Sequence, residues 1–173
     1  MQLLLSSGAA KDRTQSLHLY GQLAGRWATS IKYTTKVGVE RWASGEWEFS
    51  YALEGRAIID VWQIPARIEA ERTGNSVECG LCVRIYDPVL DLWKFTFHGP
   101  LYRVTLNMLA YKIGDEIIQE MFSGRDIIRW IFHDITEHKF LWKSIRSTDG
   151  GKTWYTEQSL EAMKMVDVSM MHI

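Results

Sequence analysis

At 173 residues and 20.1 kDa the chain has the size of one compact domain, long enough to bury a core without disulfides or a structural metal. Its 20 basic and 21 acidic residues leave a formal charge of −1, a near-neutral balance that argues against non-specific nucleic-acid binding, which needs a basic surface to neutralise phosphates. No apolar run reaches the ~20 residues of a membrane-spanning helix, and the leucines of MQLLLSSGAAKDR follow no basic stretch, so neither membrane attachment nor a secretory leader is expected. Only two cysteines are present, and they are expected to stay reduced in a cytoplasmic protein. The unusual feature is aromatic: 8 Trp beside 7 Tyr and 6 Phe. Such side chains favour strands, fill cores and line apolar ligand pockets.

In chain order, residues 7–23 read as a helix, with Leu17, Leu19, Tyr20 and Leu23 near one face and Ser7 as a cap. After Gly25 the helical period stops. Alternating or apolar segments then recur at 26–34, 45–54, 56–64, 77–86, 92–98, 101–112, 116–122, 126–135, 140–147 and 153–165, the spacing of an all-β barrel or sandwich. Glu54-Gly55, Asp87-Pro88, Gly114-Asp115 and Ser123-Gly124 supply turns. The polar stretch 65–76 reads as a surface loop or short helix that either simply connects two strands or covers a cavity mouth. No repeat or domain boundary is evident. The expected organisation is a single domain over 1–173: an N-terminal helix at 7–23, a barrel at 25–165 and a tail at 166–173.

Two motifs sharpen this. Gly25-Arg26-Trp27, directly after the helix, resembles the G-x-W of lipocalins and other calycins. In that family the Trp closes one end of an antiparallel barrel beneath a basic side chain from a late strand. The resemblance implies that Lys164 covers Trp27 by cation–π attraction, with Lys where lipocalins usually carry Arg. Ser147-Thr148-Asp149-Gly150-Gly151-Lys152-Thr153-Trp154 resembles the Asp-box, S-x-D-x-G-x-T-W, a structural hairpin of sialidases and many other β proteins. It places a hairpin between the last two strands. With GEWEFSYALEGRAIIDVWQIP, the run Arg84-Ile85-Tyr86-Asp87-Pro88 and Phe140-Leu141-Trp142, these stretches resemble bacterial calycin-like barrels of poorly characterised function. The resemblance implies a closed antiparallel calycin-like β-barrel of about eight to ten strands with a short N-terminal helix. It implies no particular activity.

A two-residue turn at Glu54-Gly55 pairs Leu53 with Arg56, Tyr51 with Ile58, Phe49 with Asp60 and Trp47 with Trp62, all on one strand face. If that face is inward, Arg56 and Asp60 are charges in an aromatic cavity. They then either orient the polar end of a ligand or form an internal ion pair; if it is outward, both are solvated. Pairing the late strands about a short turn places His133 opposite Trp142, where it is either an acid–base group or a hydrogen-bonded barrel histidine. His98 is expected outside. On the strand at 77–86 the apolar row Cys79, Leu81, Val83 and Ile85 reads as core, with Arg84 and Tyr86 outside, unless the barrel interior is the polar side. Cys79-Gly80-Leu81-Cys82 puts its thiols on opposite strand faces and lacks two further zinc ligands, so it reads as two packed cysteines.

The expected ligand-binding residues are therefore Trp47, Phe49, Tyr51, Arg56, Asp60, Trp62, His133 and Trp142. If the barrel is catalytic, Arg56, Asp60 and His133 are the candidate groups, with Tyr51 also able to move a proton. No nucleotide-binding, zinc-protease or α/β-hydrolase signature is present, and no metal, haem or other cofactor is expected. Three functions fit. The first is binding of a small apolar or aromatic molecule in the barrel. The second is a cofactor-independent cyclase, isomerase or dehydratase of a natural-product intermediate, with the helix as lid. The third is a homodimeric interaction module.

Overall fold

The computed structural model describes residues 4–35 and 37–166. Within them ten antiparallel strands close into a barrel: β1 (Gly25–Thr34), β2 (Glu40–Ala52), β3 (Ala57–Ile64), β4 (Glu78–Asp87), β5 (Leu92–Gly99), β6 (Val104–Ile113), β7 (Glu116–Ser123), β8 (Asp126–His133), β9 (Lys139–Ser147) and β10 (Tyr155–Lys164). Each strand pairs with its sequence neighbours, and β1 pairs with β10 to complete the ring. The expected strands are present with shifted ends. The largest shift is in β2, which starts at Glu40 because Glu40–Ser44 pair with Thr34–Ser30 of β1. No helix of the described residues is long and apolar enough to cross a membrane.

The N-terminal helix is shorter than the sequence suggests. A 3-10 turn at Lys11–Arg13 leads into α1 (Thr14–Gly21), and no side chain caps it. The preceding residues are tied to the β2–β3 turn instead: Ser6 N–H donates to Tyr51 O and Ala10 N–H to Gly55 O. A second short helix, α2 (Arg67–Thr73), lies in the 65–76 connection. Of the expected tail at 166–173, residues 167 onward lie outside the described residues.

Alternate residues of each strand face inward. An eight-stranded ring is just filled by ordinary side chains, and a ten-stranded ring is wider. Large aromatic rings fill the extra room here. Trp27, Trp47, Trp62, Trp93, Trp130 and Trp142 all pack in the interior clusters, which accounts for most of the tryptophan content. Trp47 sits in the middle, with ring centroids of Trp62 at 4.7 Å, Phe49 at 5.0 Å and Phe132 at 5.3 Å. Such aromatic pairs add about 0.5–1.5 kcal/mol each beyond area burial.

The two ends of the barrel differ. Leu17, Tyr20 and Leu23, at the end of α1 and just beyond it, are buried and plug the end where β1 begins. Tyr20 meets Trp93 edge-on at 4.9 Å. The G-x-W expectation holds at this end. Lys164 Nζ lies 4.4 Å over the Trp27 ring and donates to Ala24 O, while Trp27 Nε1 donates to Leu23 O at 2.8 Å. Gly25 is needed twice over: its φ is +119°, and a Cβ would stand 2.6 Å from Lys164 Nζ.

The opposite end carries α2 and the Asp-box hairpin between β9 and β10. Asp149 caps that hairpin. Its carboxylate accepts from Lys152 N–H and Thr153 N–H, both at 2.9 Å, and from Thr153 Oγ1 at 2.7 Å. Trp154 Nε1 donates to Gly151 O at 3.1 Å, and the Arg129 guanidinium lies 4.4 Å from the Trp154 ring. The donors, led by Thr153 N–H, hold the Asp149 carboxyl down to about 2 from its ordinary 3.8. Folding is therefore stabilised by this group above pH ~4, and the stabilisation disappears as pH falls towards 2. Asp149→Asn should melt below the wild type at pH 7, and the gap in melting temperature should close between pH 4 and pH 2 in a pH series of thermal unfolding.

Candidate functional site

A pair of charges lies in the plugged half of the barrel. Asp60 of β3 and Arg84 of β4 form an ion pair with both side chains at 0% exposure. Trp47 Nε1 donates to Asp60 Oδ1 at 2.6 Å. Gln119 of β7 presents Oε1 to two donors, Arg84 Nε and Tyr20 OH, each at 3.0 Å. The guanidinium also lies 4.7 Å from the Phe95 ring centre and 4.8 Å from that of Tyr20. Burial lowers Arg84 to about 10, so it stays charged at neutral pH, and burial raises the Tyr20 hydroxyl. Arg84 Nη2 and Gln119 Nε2 have no acceptor. The cluster joins α1, β2, β3, β4 and β7 and leaves Asp60 committed to Arg84.

Three sequence expectations need correction. Arg56 does not enter the barrel. The β2–β3 connection is a turn over residues 53–56 in which Leu53 and Glu54 take positive φ, so Arg56 leaves the strand. Its half-exposed side chain pairs with Asp12 at 2.9 Å. The rest of the hairpin register is as expected, Tyr51 opposite Ile58, Phe49 opposite Asp60 and Trp47 opposite Trp62.

The second correction concerns β4, whose faces are reversed. Arg84 stands opposite Ile58 and Cys82 opposite Asp60, and directly opposed residues share a face. Arg84 is therefore inside, while Leu81 and Ile85 are 40% and 44% exposed. The third is His133, which pairs with Leu141 rather than Trp142. The β8–β9 connection shifts the register by one residue, and in a strand that turns a side chain to the other face. His133 lies 3.0 Å from Asp134 on the outer surface, in a groove with Trp42, Leu141 and Met163. His98 is outside, as expected, beside Thr105.

The remaining expected residues are in the interior but not in one site. Phe49 is buried near the plug and Tyr51 packs over Gly21 at the end of α1. Trp47, Trp62 and Trp142 reach the unplugged end, where they meet Trp130, Phe97, Cys82, Glu78 and Gln158 around a cavity of about 50 Å³. The last five were missed from sequence. Glu78 and Cys82 belong to the misassigned face of β4, and Gly80 between them makes room for the Phe97 ring, which a Cβ would approach to 2.3 Å. Burial raises the Glu78 carboxyl, and burial, with the Glu78 charge, raises the Cys82 thiol well above its ordinary range. Cys79 and Cys82 are both free, on opposite faces.

Trp62 and Trp142 line this cavity, and their indole N–H groups are buried away from accessible space without an acceptor. A buried donor left unpaired costs about 1–3 kcal/mol. Among the described residues no group of His, Cys, Asp and Glu is arranged to hold a metal ion. The cavity is mostly apolar and aromatic, with one amide, Gln158, and one half-buried carboxyl, Glu78, in its lining.

A closed ten-stranded barrel plugged by a helix at one end and pocketed at the other has the lipocalin/calycin-like fold. Solved structures agree. The S-type phycobiliprotein lyase CPES from Guillardia theta superposes with a TM-score of 0.59 at 10% identity, over 87% of this chain and 92% of that one. Rv2717c from M. tuberculosis gives a TM-score of 0.61 at 11% identity, over 91% of this chain and 99% of that one. No family model matches the sequence, and no curated protein matches it significantly.

Removing one member of a buried pair strands its partner, at a typical cost of about 3–5 kcal/mol. Arg84→Met should lower stability by that order in urea unfolding. Adding Asp60→Asn, which keeps an acceptor for Trp47, should restore much of the loss. A double variant no more stable than Arg84→Met would show that the pair does not carry the effect.

Proposed function

We propose that the protein binds a small, largely apolar molecule at the unplugged end of its barrel. The observation that carries this reading is the cavity among Trp47, Trp62, Phe97, Trp130 and Trp142, with Glu78 and Gln158 as polar groups in its lining. Ligand sites are typically aromatic walls with a few polar groups that set orientation, and this cavity has that composition. Calycin-like architecture supports the scaffold; at 10–11% identity the similar structures say nothing of the ligand.

The cavity's size limits how the ligand sits. Its 50 Å³ is small against the ~300–1,000 Å³ of drug-sized pockets, so only the leading group of a ligand enters and its body stays at the mouth. The proton-transfer reading has less support, because Arg56 and His133 lie outside the barrel and Asp60 is tied to Arg84. Glu78 and the cavity tryptophans replace them as the groups that meet the ligand.

Native mass spectrometry of the protein taken from cells should show a retained small molecule, and titration with it should quench tryptophan fluorescence. Cys82→Leu, whose extra carbon atoms fill the cavity, should weaken binding at least tenfold while the circular dichroism spectrum stays barrel-like. Arg56→Ala and His133→Ala should leave affinity within about twofold, since surface changes rarely exceed ~0.5 kcal/mol. Full affinity in Cys82→Leu would remove this cavity as the site.

A further inference from the structure

Independently of what the cavity binds, we infer that the outer wall formed by β3 and β4 is the contact face of a symmetric homodimer, in which Glu48 of each copy faces the partner's His98. Three observations converge. First, this wall is apolar, whereas the solvated face of an antiparallel sheet is normally polar. Its outward rows are Ile59, Val61 and Gln63 of β3 and Cys79, Leu81, Val83 and Ile85 of β4, with no charged side chain among them. The outward rows of β1 and β9, by contrast, carry Arg26 with Lys32 and Lys139 with Lys143.

Second, the apolar side chains form one uncovered patch. Val61 stands directly opposite Leu81, and Ile59 opposite Val83. Val61, Leu81 and Ile85 are 41%, 40% and 44% exposed. A contiguous apolar patch on a protein surface marks a place where another surface docks.

Third, the two flanks of the patch are complementary, and this selects a second copy as the occupant. Backbone pairing sets Glu48 of β2, Val61, Leu81 and His98 of β5 in one row across the sheet. A carboxylate therefore ends the row on one side and an imidazole on the other. Glu48 is exposed, and its contact with Arg26 Nε is long, at 3.9 Å. His98 is also exposed, with Nδ1 3.4 Å from Thr105 Oγ1 and with no partner for Nε2 among the described residues.

A two-fold axis along the strands, between β3 and β4, keeps each residue at its own height and reverses the strand order across the contact. Val61 then meets the partner's Leu81, Ile59 the partner's Val83, and Glu48 the partner's His98, each pair occurring twice. An axis across the strands sets Glu48 against the partner's Glu48 instead, a like-charge contact that opposes association.

Sedimentation velocity over a concentration series tests this. The protein should pass from monomer to dimer at on the order of 10 µM, because one barrel wall makes a small interface. Leu81→Lys, at an exposed position, should raise the dissociation constant at least tenfold while the circular dichroism spectrum stays barrel-like. Glu48→Arg and His98→Glu should each weaken the dimer, and the double variant should recover it, because the pair is only exchanged. In a Cys79→Ser background, Val61→Cys chains mixed with Leu81→Cys chains should give a disulfide-linked dimer on oxidation, and neither should do so alone. A monomer at every concentration up to ~1 mM would overturn the inference and leave the wall to a different partner. A dimer that withstands Leu81→Lys would overturn it by placing the contact elsewhere. Val61→Cys chains that crosslink as well alone as in the mixture would overturn the strand-parallel axis and the Glu48–His98 pairing with it.

Discussion

A guanidinium and a carboxylate removed from water must satisfy one another, and in this barrel that requirement reaches almost every element. Arg84 needs Asp60 and Gln119; Asp60 needs Trp47; Gln119 is shared with Tyr20. Strand register, strand face and the docking of α1 are thereby coupled. A one-residue slip of β3 on β4 would strand a charge among aromatic rings, a far larger cost than the loss of one apolar contact. Replacing such a pair by apolar side chains is often neutral or stabilising elsewhere, so its use here is better understood as setting the arrangement than as raising stability.

That arrangement divides the interior. The plugged half is dense and polar at its centre, held by the Trp27–Lys164 stack and the Tyr20–Trp93–Phe132 contacts. The other half is aromatic and less completely filled. Trp47 belongs to both, giving its N–H to Asp60 on one side and its ring to the cavity on the other. The site's walls are therefore braced by the charge cluster, although no charged member of that cluster lines the cavity.

How much of this could be read from the chain depends on the distance over which each feature is decided. The β2–β3 hairpin is local, and its turn residues and aromatic alternation place Trp47, Phe49, Tyr51, Asp60 and Trp62 on one face. G-x-W and the Asp-box are likewise legible, because backbone conformation and nearby side chains define them. The face of β4 is not. Its outward row, Leu81, Val83 and Ile85, is more apolar than its inward row, Glu78, Gly80, Cys82 and Arg84, so local hydropathy points the wrong way. Only Asp60 and Gln119, 24 and 35 positions from Arg84, make that inward row affordable. The inward face of β3 is itself left open by the sequence, and only with that face fixed does the β3–β4 register carry Arg84 inside. His133 was lost to a single residue of loop length, the smallest error that inverts a strand.

The ring also has one seam unlike the rest. Nine of its ten pairings join strands adjacent in the chain, whereas Trp27 and Lys164 meet from opposite ends of it. Hairpins can zip one after another with short loops to close, but the β1–β10 pairing must gather nearly the whole polypeptide, which is the slowest kind of contact to form. Closure of the barrel is thus the natural late event in folding. Because the first and last strands lie side by side, the two ends of the barrel sequence emerge as neighbours, and the same ring could be built from a chain cut at another turn and rejoined here.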